Sequence, residues 1–360
     1  MDLIHPHAAH DVQEAIRDCA AAGRRLLVVG GRQHLDKGDQ TEVDAELWTT
    51  LLDDVVTYDP AEMLIVVEAG MRVGELRRAL ARRDQEWPID APDDTTVGGI
   101  IAAGIEPIRR LRVGLMRDTV VEMEAVLGDG RRITSGARVV KNVSGFDVHR
   151  LLTGSLGTLG VITQVALKVR PIPKAAVTLV TSEGGLALGG RLLDALWQPA
   201  AVLAEPGRVI VRLEGWPAEV AEQSATVRAL ATCEEADDGA FTEPPFAASP
   251  ILAEVGVVPS RLSEVLDGST AYRALLGVGT AWVPCTDQGE LASLRRTVVK
   301  AGGIAPVIRG PGGLGDADLP AVEIDARIKA ACDPSSILTP GRGWGGSMTI
   351  IRGRPPGSDR

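Results

Sequence analysis

Residues 146–163 read FDVHRLLTGSLGTLGVIT, a helix-like half and a strand-like half separated by Gly154, Gly157 and Gly160 among hydroxyl residues. Glycine inside a regular element costs roughly 0.5–1 kcal/mol relative to alanine. Such a cluster therefore marks either a corner or bulge, or a place where something approaches bare main chain. Two other clusters sit where apolar segments meet loops. Gly30-Gly31-Arg32-Gln33-His34 follows the buried-strand pattern LLVVG, and Thr95-Thr96-Val97-Gly98-Gly99 opens a helical run that continues through Ala102. Neither is a G-x-G-x-x-G fingerprint or a loop ending in G-K-[ST]. Consecutive backbone N–H groups after a strand, or at a helix start, can hold an anion. Taken singly, each cluster is equally a plain turn or a tight helix contact.

The chain of 360 residues is 45% apolar, enough for a large core and for more than one domain. Its formal net charge of −10, without a long basic run, argues against nucleic-acid binding. Cys19, Cys233, Cys285 and Cys332 lack the spacing of zinc or iron–sulfur ligands, so no metal and a reduced, cytoplasmic setting are expected. MDLIHPHAAHD does not read as a signal peptide, and no apolar run reaches the ~18 residues of a membrane span.

Helices are expected over 9–22, 73–83 and near 146–153, and strands over 26–30, 63–70 and 160–170, with no strand ahead of residue 26. TVVEMEAVLGDGRRITSG predicts a hairpin turning at Asp129-Gly130. After Pro171-Ile-Pro173 the pattern becomes strand, helix, strand, strand, helix, the order of a ferredoxin-like α+β unit. CEEADDGAFTEPPFAASP (233–250) reads as an exposed loop, EIDARIKAAC as a helix, and no internal repeat is visible.

In order and spacing, GGRQH, PDDTTVGGIIAAG, RDTVVEMEAVLGDGRRI and KNVSGFDVHRLLTGSLGTLGVITQVALKVRP together resemble the FAD-binding domain of vanillyl-alcohol oxidase or p-cresol methylhydroxylase type, over about residues 5–173. Within that family the chain resembles FAD-binding subunits of glycolate oxidase, which share the KNV-x-G-[YF]-D block and a DP…NPGR turn. The resemblance implies an α+β fold. Its parts are a two-subdomain FAD-binding domain (1–173), a ferredoxin-like α+β cap (174–330), a C-terminal turn returning to the flavin domain (331–345) and a mobile tail (346–360). It implies FAD as cofactor, with Gly30, Gly31, Arg32, Gln33 and His34 at the pyrophosphate. Thr96, Val97, Gly98, Gly99 and Ala102 would line the pyrophosphate and ribityl side. Arg117 and Asp118 would begin the strand beneath the cofactor, and Gly157, Gly160, Val161 and Ile162 would touch the adenosine half or ribityl chain. Covalent members place a histidine directly after Gly-Gly. His34 lies three positions beyond Gly31, so non-covalent FAD is expected. Thr339 stands where the family carries asparagine, so this chain lacks the amide that the resemblance would place there.

No histidine, tyrosine or carboxylate set presents itself as a catalytic base, and His149 reads as structural. Arg309 and Arg342, in glycine-rich turns, are candidates for holding a carboxylate. The implied activity is oxidation of a small 2-hydroxy acid such as glycolate. The chain would act beside a sister flavoprotein subunit and an iron–sulfur subunit, with no transmembrane segment, in the cytoplasm or peripherally at the inner face of the membrane through those partners. A stand-alone FAD-dependent oxidase or dehydrogenase, and a non-catalytic flavin-fold interaction subunit, are the alternatives.

Overall fold

The computed structural model describes residues 1–38, 42–138, 146–243, 245–313 and 322–342. The KNVSG stretch (141–145) and the tail expected to be mobile (346–360) lie outside the described residues.

The chain opens with β1 (Asp2–Ile4), α1 (Ala9–Ala21), β2 (Leu26–Val29) and β3 (Ala45–Trp48). These strands form a parallel sheet ordered β1-β3-β2. Parallel neighbours need a crossover, and α1 provides one, burying Val12, Ile16 and Cys19. The first strand therefore lies ahead of the histidine-rich segment, where none was expected. It is only three residues long, too short for periodicity to reveal.

β4 (Val55–Asp59), β5 (Leu64–Glu68), α2 (Val73–Ala81), β6 (Gln85–Glu86), α3 (Val97–Ala103), α4 (Arg110–Val113), β7 (Val120–Leu127), β8 (Arg132–Gly136), α5 (Val148–Leu152), β9 (Gly160–Lys168) and β10 (Arg170–Pro171) follow. An antiparallel sheet ordered β4-β5-β9-β7-β8 carries α2 and α3 on one face. Its central strand β9 is apolar almost throughout because both faces are covered: Ile162 and Val165 meet the core under α3, and Val161 meets the core under α1. The β7–β8 hairpin turns with Gly130 at φ +78.

The second domain runs through β11 (Ala175–Thr181), α6 (Leu186–Ala195), β12 (Ala201–Glu205), β13 (Arg208–Gly215), α7 (Pro217–Leu230), β14 (Cys233–Ala236), α8 (Gly239–Thr242), β15 (Ile251–Gly256), α9 (Leu262–Leu266), β16 (Arg273–Leu275), β17 (Thr280–Cys285), α10 (Gln288–Lys300) and β18 (Val307–Arg309). Its eight-stranded antiparallel sheet is ordered β14-β11-β13-β12-β16-β17-β15-β18. β11–β14 form a ferredoxin-like unit, and β15–β18 form a second unit in the mirrored order, the two joined through β12 and β16. The absence of a repeat in the sequence reading is thus corrected. The duplication lives in strand order, which unrelated side chains can satisfy equally well. The stretch 233–250 is also corrected. It contains β14 and α8, and buried Phe241 lies under the Arg212 guanidinium, 4.9 Å from the ring centroid.

α6, α7, α9 and α10 bury one face of this sheet, and the other face looks onto the first domain. α11 (Val322–Cys332) returns to the first domain, where Ile328 and Cys332 join the core under α3. The expected boundary at residue 330 falls inside this helix.

Candidate functional site

β2 ends where Gly30 begins a loop that lies directly on the 94–96 turn. A Cβ at Gly30 would stand 2.3 Å from Thr96 Oγ1, and one at Gly31 would stand 2.8 Å from the Asp94 carbonyl oxygen. These glycines are demanded first by the chain's own packing. Arg32 sits at φ +62, held by an ion pair to Glu46 at 2.9 Å and by the Trp48 ring, 5.1 Å from its guanidinium. Gln33 Nε2 donates to Asp94 Oδ2 at 2.5 Å. The backbone N–H groups of Gly30, Gly31, Arg32, Gln33 and His34 donate to no acceptor among the described residues. Such a run of unused donors suits a diphosphate.

α3 forms the facing wall. Its first N–H groups are already used: Val97 to Met71 O at 2.9 Å, Gly98 to Ala69 O at 2.7 Å, and Gly99 to Thr96 Oγ1 at 3.2 Å. The expectation of free donors at this helix start is corrected, since the N-cap hydroxyl and neighbouring carbonyls consume them. Thr96, Gly98, Gly99 and Ala102 line the cleft, whereas Val97 is buried in the core.

Gly157 (φ +74), Gly160 and Ile162 form the floor, tied to α3 by Leu156 N–H donating to Ala102 O at 2.8 Å. Val161 points the other way into the α1 core, as alternation along β9 requires. Arg117 and Asp118 occupy a 3-10 turn before β7, with Asp118 paired to Arg150 at 3.1 Å, and neither lines the cleft. That placement is corrected too. The strand starts beyond them, at Val120.

Arg342 is not poised for a substrate. Its buried guanidinium donates to Leu35 O at 2.8 Å, to His34 O at 3.4 Å and to Lys37 O, clasping the loop beyond Gly31. Thr339, in the same turn, donates its N–H to Leu26 O at 2.8 Å. Arg309 lies at the end of β18, with Nη1 on Phe246 O at 2.8 Å. His149 is structural: its Nδ1 lies 3.0 Å from Ser135 Oγ inside the α5–β8 contact.

The glycine-lined cleft holds about 80 Å³ of free volume and meets a cavity of about 1000 Å³ between the two domains, Gln33 and His34 bordering both. Sequence reasoning missed the cavity's ionic wall. Arg109 bonds Asp90 at 2.8 Å, Glu86 at 3.3 Å and Glu214 at 3.0 Å, while Arg170 and Arg212 reach Glu214 at 3.0 and 3.2 Å. Burial drives the Glu214 pKa up, but these arginines together bring it below the usual carboxylate value. These partners come from positions far apart in the chain, and no local motif announces them.

At the junction, His34 Nε2 and the nearby Thr95 Oγ1 are buried without a hydrogen-bond partner. Unsatisfied polar atoms at such a place suit the contacts of a bound ligand. Burial, reinforced by Lys37, lowers the His34 pKa to about 4. The unfolded chain, at the ordinary histidine value near 6.5, then binds a proton that the folded chain refuses. His34 therefore contributes stability above pH 6.5 that is lost as pH falls to about 4, with a slope of about 1.4 kcal/mol per pH unit. His34→Leu is expected to flatten that acid limb in urea unfolding at stepped pH, and an unchanged slope would refute the buried neutral state.

Residues 3–136 match the family described as FAD binding domain. Glycolate oxidase subunit GlcE of Escherichia coli (strain K12) is 37% identical over 128 residues, covering 35% of this chain and 37% of that protein. The mitochondrial D-2-hydroxyglutarate dehydrogenase of Rattus norvegicus is 31% identical over 176 residues, 48% of this chain and 33% of that one. The D-lactate dehydrogenase of Anaerostipes hadrus is 31% identical over 186 residues, 49% of this chain and 38% of that one. The matched segments thus span little more than a third of these relatives. An alkyldihydroxyacetonephosphate synthase structure superposes with a TM-score of 0.70 at 15% identity, covering 94% of this chain and 76% of that one, a likeness of fold. An N-terminal sheet pair with unused N–H donors at its glycine loop, and a family match over the same residues, lead to one conclusion: residues 3–136 form an FAD binding domain of the p-cresol methylhydroxylase type, and the cofactor of this chain is FAD.

Proposed function

We propose that this chain is the FAD-holding oxidoreductase subunit of a complex that oxidises a small 2-hydroxy acid, such as glycolate, to the 2-oxo acid. The observation that carries it is the run of free N–H groups at Gly30–His34, opening directly into the interdomain cavity. Those donors would hold the pyrophosphate without a covalent link, and Gly98, Gly99, Gly157 and Gly160 would present bare walls to the rest of the cofactor. Arg342 keeps the loop in place, and neutral His34 offers an uncharged ring nitrogen at the mouth. When bound, FAD supplies the acceptor for a hydride leaving the hydroxyl-bearing carbon. Onward electron transfer would fall to partners, a sister flavoprotein and an iron–sulfur protein, a reading the scattered cysteines of this chain support.

The cavity of about 1000 Å³ favours a second reading, in which this chain oxidises an acid by itself. Anaerobic titration of the purified yellow chain with glycolate or D-lactate separates the two. The subunit reading expects no bleaching near 450 nm alone and bleaching once the partner subunits are added. Full bleaching of the isolated chain sinks it, and a folded chain that stays colourless with added FAD sinks both.

A further inference from the structure

Arg109 and Arg110 are adjacent at the start of α4, and both wall the interdomain cavity. Their surroundings differ sharply. Arg109 is saturated by Asp90, Glu86 and Glu214. Arg110 has no carboxylate within 4 Å among the described residues; its Nη2 donates to Thr280 Oγ1 at 2.5 Å, and its Nε is buried with no partner. The acidic groups that act on it from a distance, Glu106 and Glu254, are engaged elsewhere. Glu106 takes the Met116 N–H at 2.8 Å, and Glu254 takes the Trp282 indole N–H at 3.3 Å.

Arg110 is half-buried with its Nε sealed off, and leaving such a guanidinium without an ion pair is costly, so proteins normally pair it. The neighbouring buried arginines of this wall obey that rule: Arg212 pairs with Glu214 and Asp238, and Arg273 with Glu205. Arg112 also has a buried, unpartnered Nη1, but it packs toward the Gly215 backbone and does not border the cavity. Burial moves the Arg110 pKa downward from a starting value so high that the group stays charged. The cavity thus contains a fixed positive charge with no ion pair within 4 Å among the described residues, its nearest acidic influences, Glu106 and Glu254, acting only at longer range.

We propose that Arg110 receives the carboxylate of the small acid that enters the interdomain cavity, with Thr280 holding its Nη2 from behind and Trp282 in the adjoining wall. Nη1 of the planar fork donates to no acceptor among the described residues and, unlike Nε, is not sealed from the surface, so it can meet a carboxylate while Thr280 holds Nη2 in place. The identity of the acid rests on the proposed function; the anion site itself does not.

The test is calorimetric titration of the full chain with oxamate, which carries the carboxylate but no oxidisable C–H bond, alongside inorganic phosphate. FAD content is read separately from the flavin absorbance. Arg110→Met is expected to weaken oxamate binding at least 30-fold, and Arg110→Lys about 5–10-fold, because an ammonium keeps the charge and loses the fork. FAD content should be unchanged in both, and the ligand-free unfolding midpoint of Arg110→Met should not fall, since the substitution removes a half-buried charge that has no ion pair. Wild-type oxamate affinity in Arg110→Met, tighter binding of phosphate than of oxamate, no oxamate binding by the wild type, or transfer of the loss to Arg309→Met would each overturn the assignment. A colourless chain that still binds oxamate through Arg110 would overturn the flavin reading and leave this one standing.

Discussion

Gly99→Val is expected to lower FAD affinity by at least about 100-fold, close to 3 kcal/mol, while the protein stays folded. Gly99 lies within α3 at an ordinary helical position and borders the glycine-lined cleft. A Cβ there would stand 2.8 Å from Thr96 Oγ1, the atom that caps the Gly99 N–H. A branched side chain therefore enters the cleft and disturbs the cap at once, and no core residue has to move. Helix propensity opposes it little, since valine is a better helix residue than glycine. The measurement is the ratio of flavin to protein absorbance after gel filtration, backed by FAD titration of the apoprotein and a circular-dichroism melt. Full flavin retention would remove α3 from the cofactor site. Gly157→Val is the poorer test: at φ +74, with Val28 Cβ 3.3 Å away, valine strains the backbone itself, and flavin would be lost with the fold. Gly190→Ala is the matching control, because Gly190 lies in α6 with nothing within 4 Å of a Cβ. It should gain up to about 1 kcal/mol and leave FAD untouched.

Asp333→Ala should destabilise the protein by about 3–5 kcal/mol, a loss on the order of 10 °C in the thermal midpoint. The Asp333 carboxylate is fully buried and takes Lys329 Nζ at 2.6 Å, Leu338 N–H at 2.8 Å and Ile337 N–H at 3.2 Å. Lys329 also donates to Thr158 O at 2.6 Å and Leu338 O at 2.9 Å. Without the carboxylate, a buried ammonium and the backbone donors of the C-terminal turn lose their acceptor together. Leu338 bridges to Leu26, and Arg342, four residues on, clasps the 34–37 loop. FAD retention should therefore fall in step with stability. Lys329→Met with Asp333→Asn should recover part of the loss, since the uncompensated charge is gone. A single Asp333→Ala protein melting within about 1 °C of wild type would show that the turn is held by other means.

Val97 and Val161, which turn into the core and away from the cleft, show where local reading ends. A glycine cluster marks that a backbone comes near something, yet the partner of Gly30 and Gly31 is first the chain itself, at Thr96 and Asp94. Side-chain parity then decided which neighbours face the cleft: Gly160 and Ile162 line it, and Val161 points away. Arg342, read as a carboxylate holder, is occupied by backbone carbonyls contributed from some three hundred residues upstream.

By itself, the sequence settled the flavin domain's hairpin, its helix and strand periods and the glycine loops that carry the family likeness, because each depends on residues a few positions apart. Only the tertiary structure decided the mirrored pair of ferredoxin-like units, the C-terminal clasp and the contrast between paired Arg109 and unpaired Arg110. Those depend on which distant strands share hydrogen bonds and which charges are buried together, and neither leaves a periodic trace in the chain.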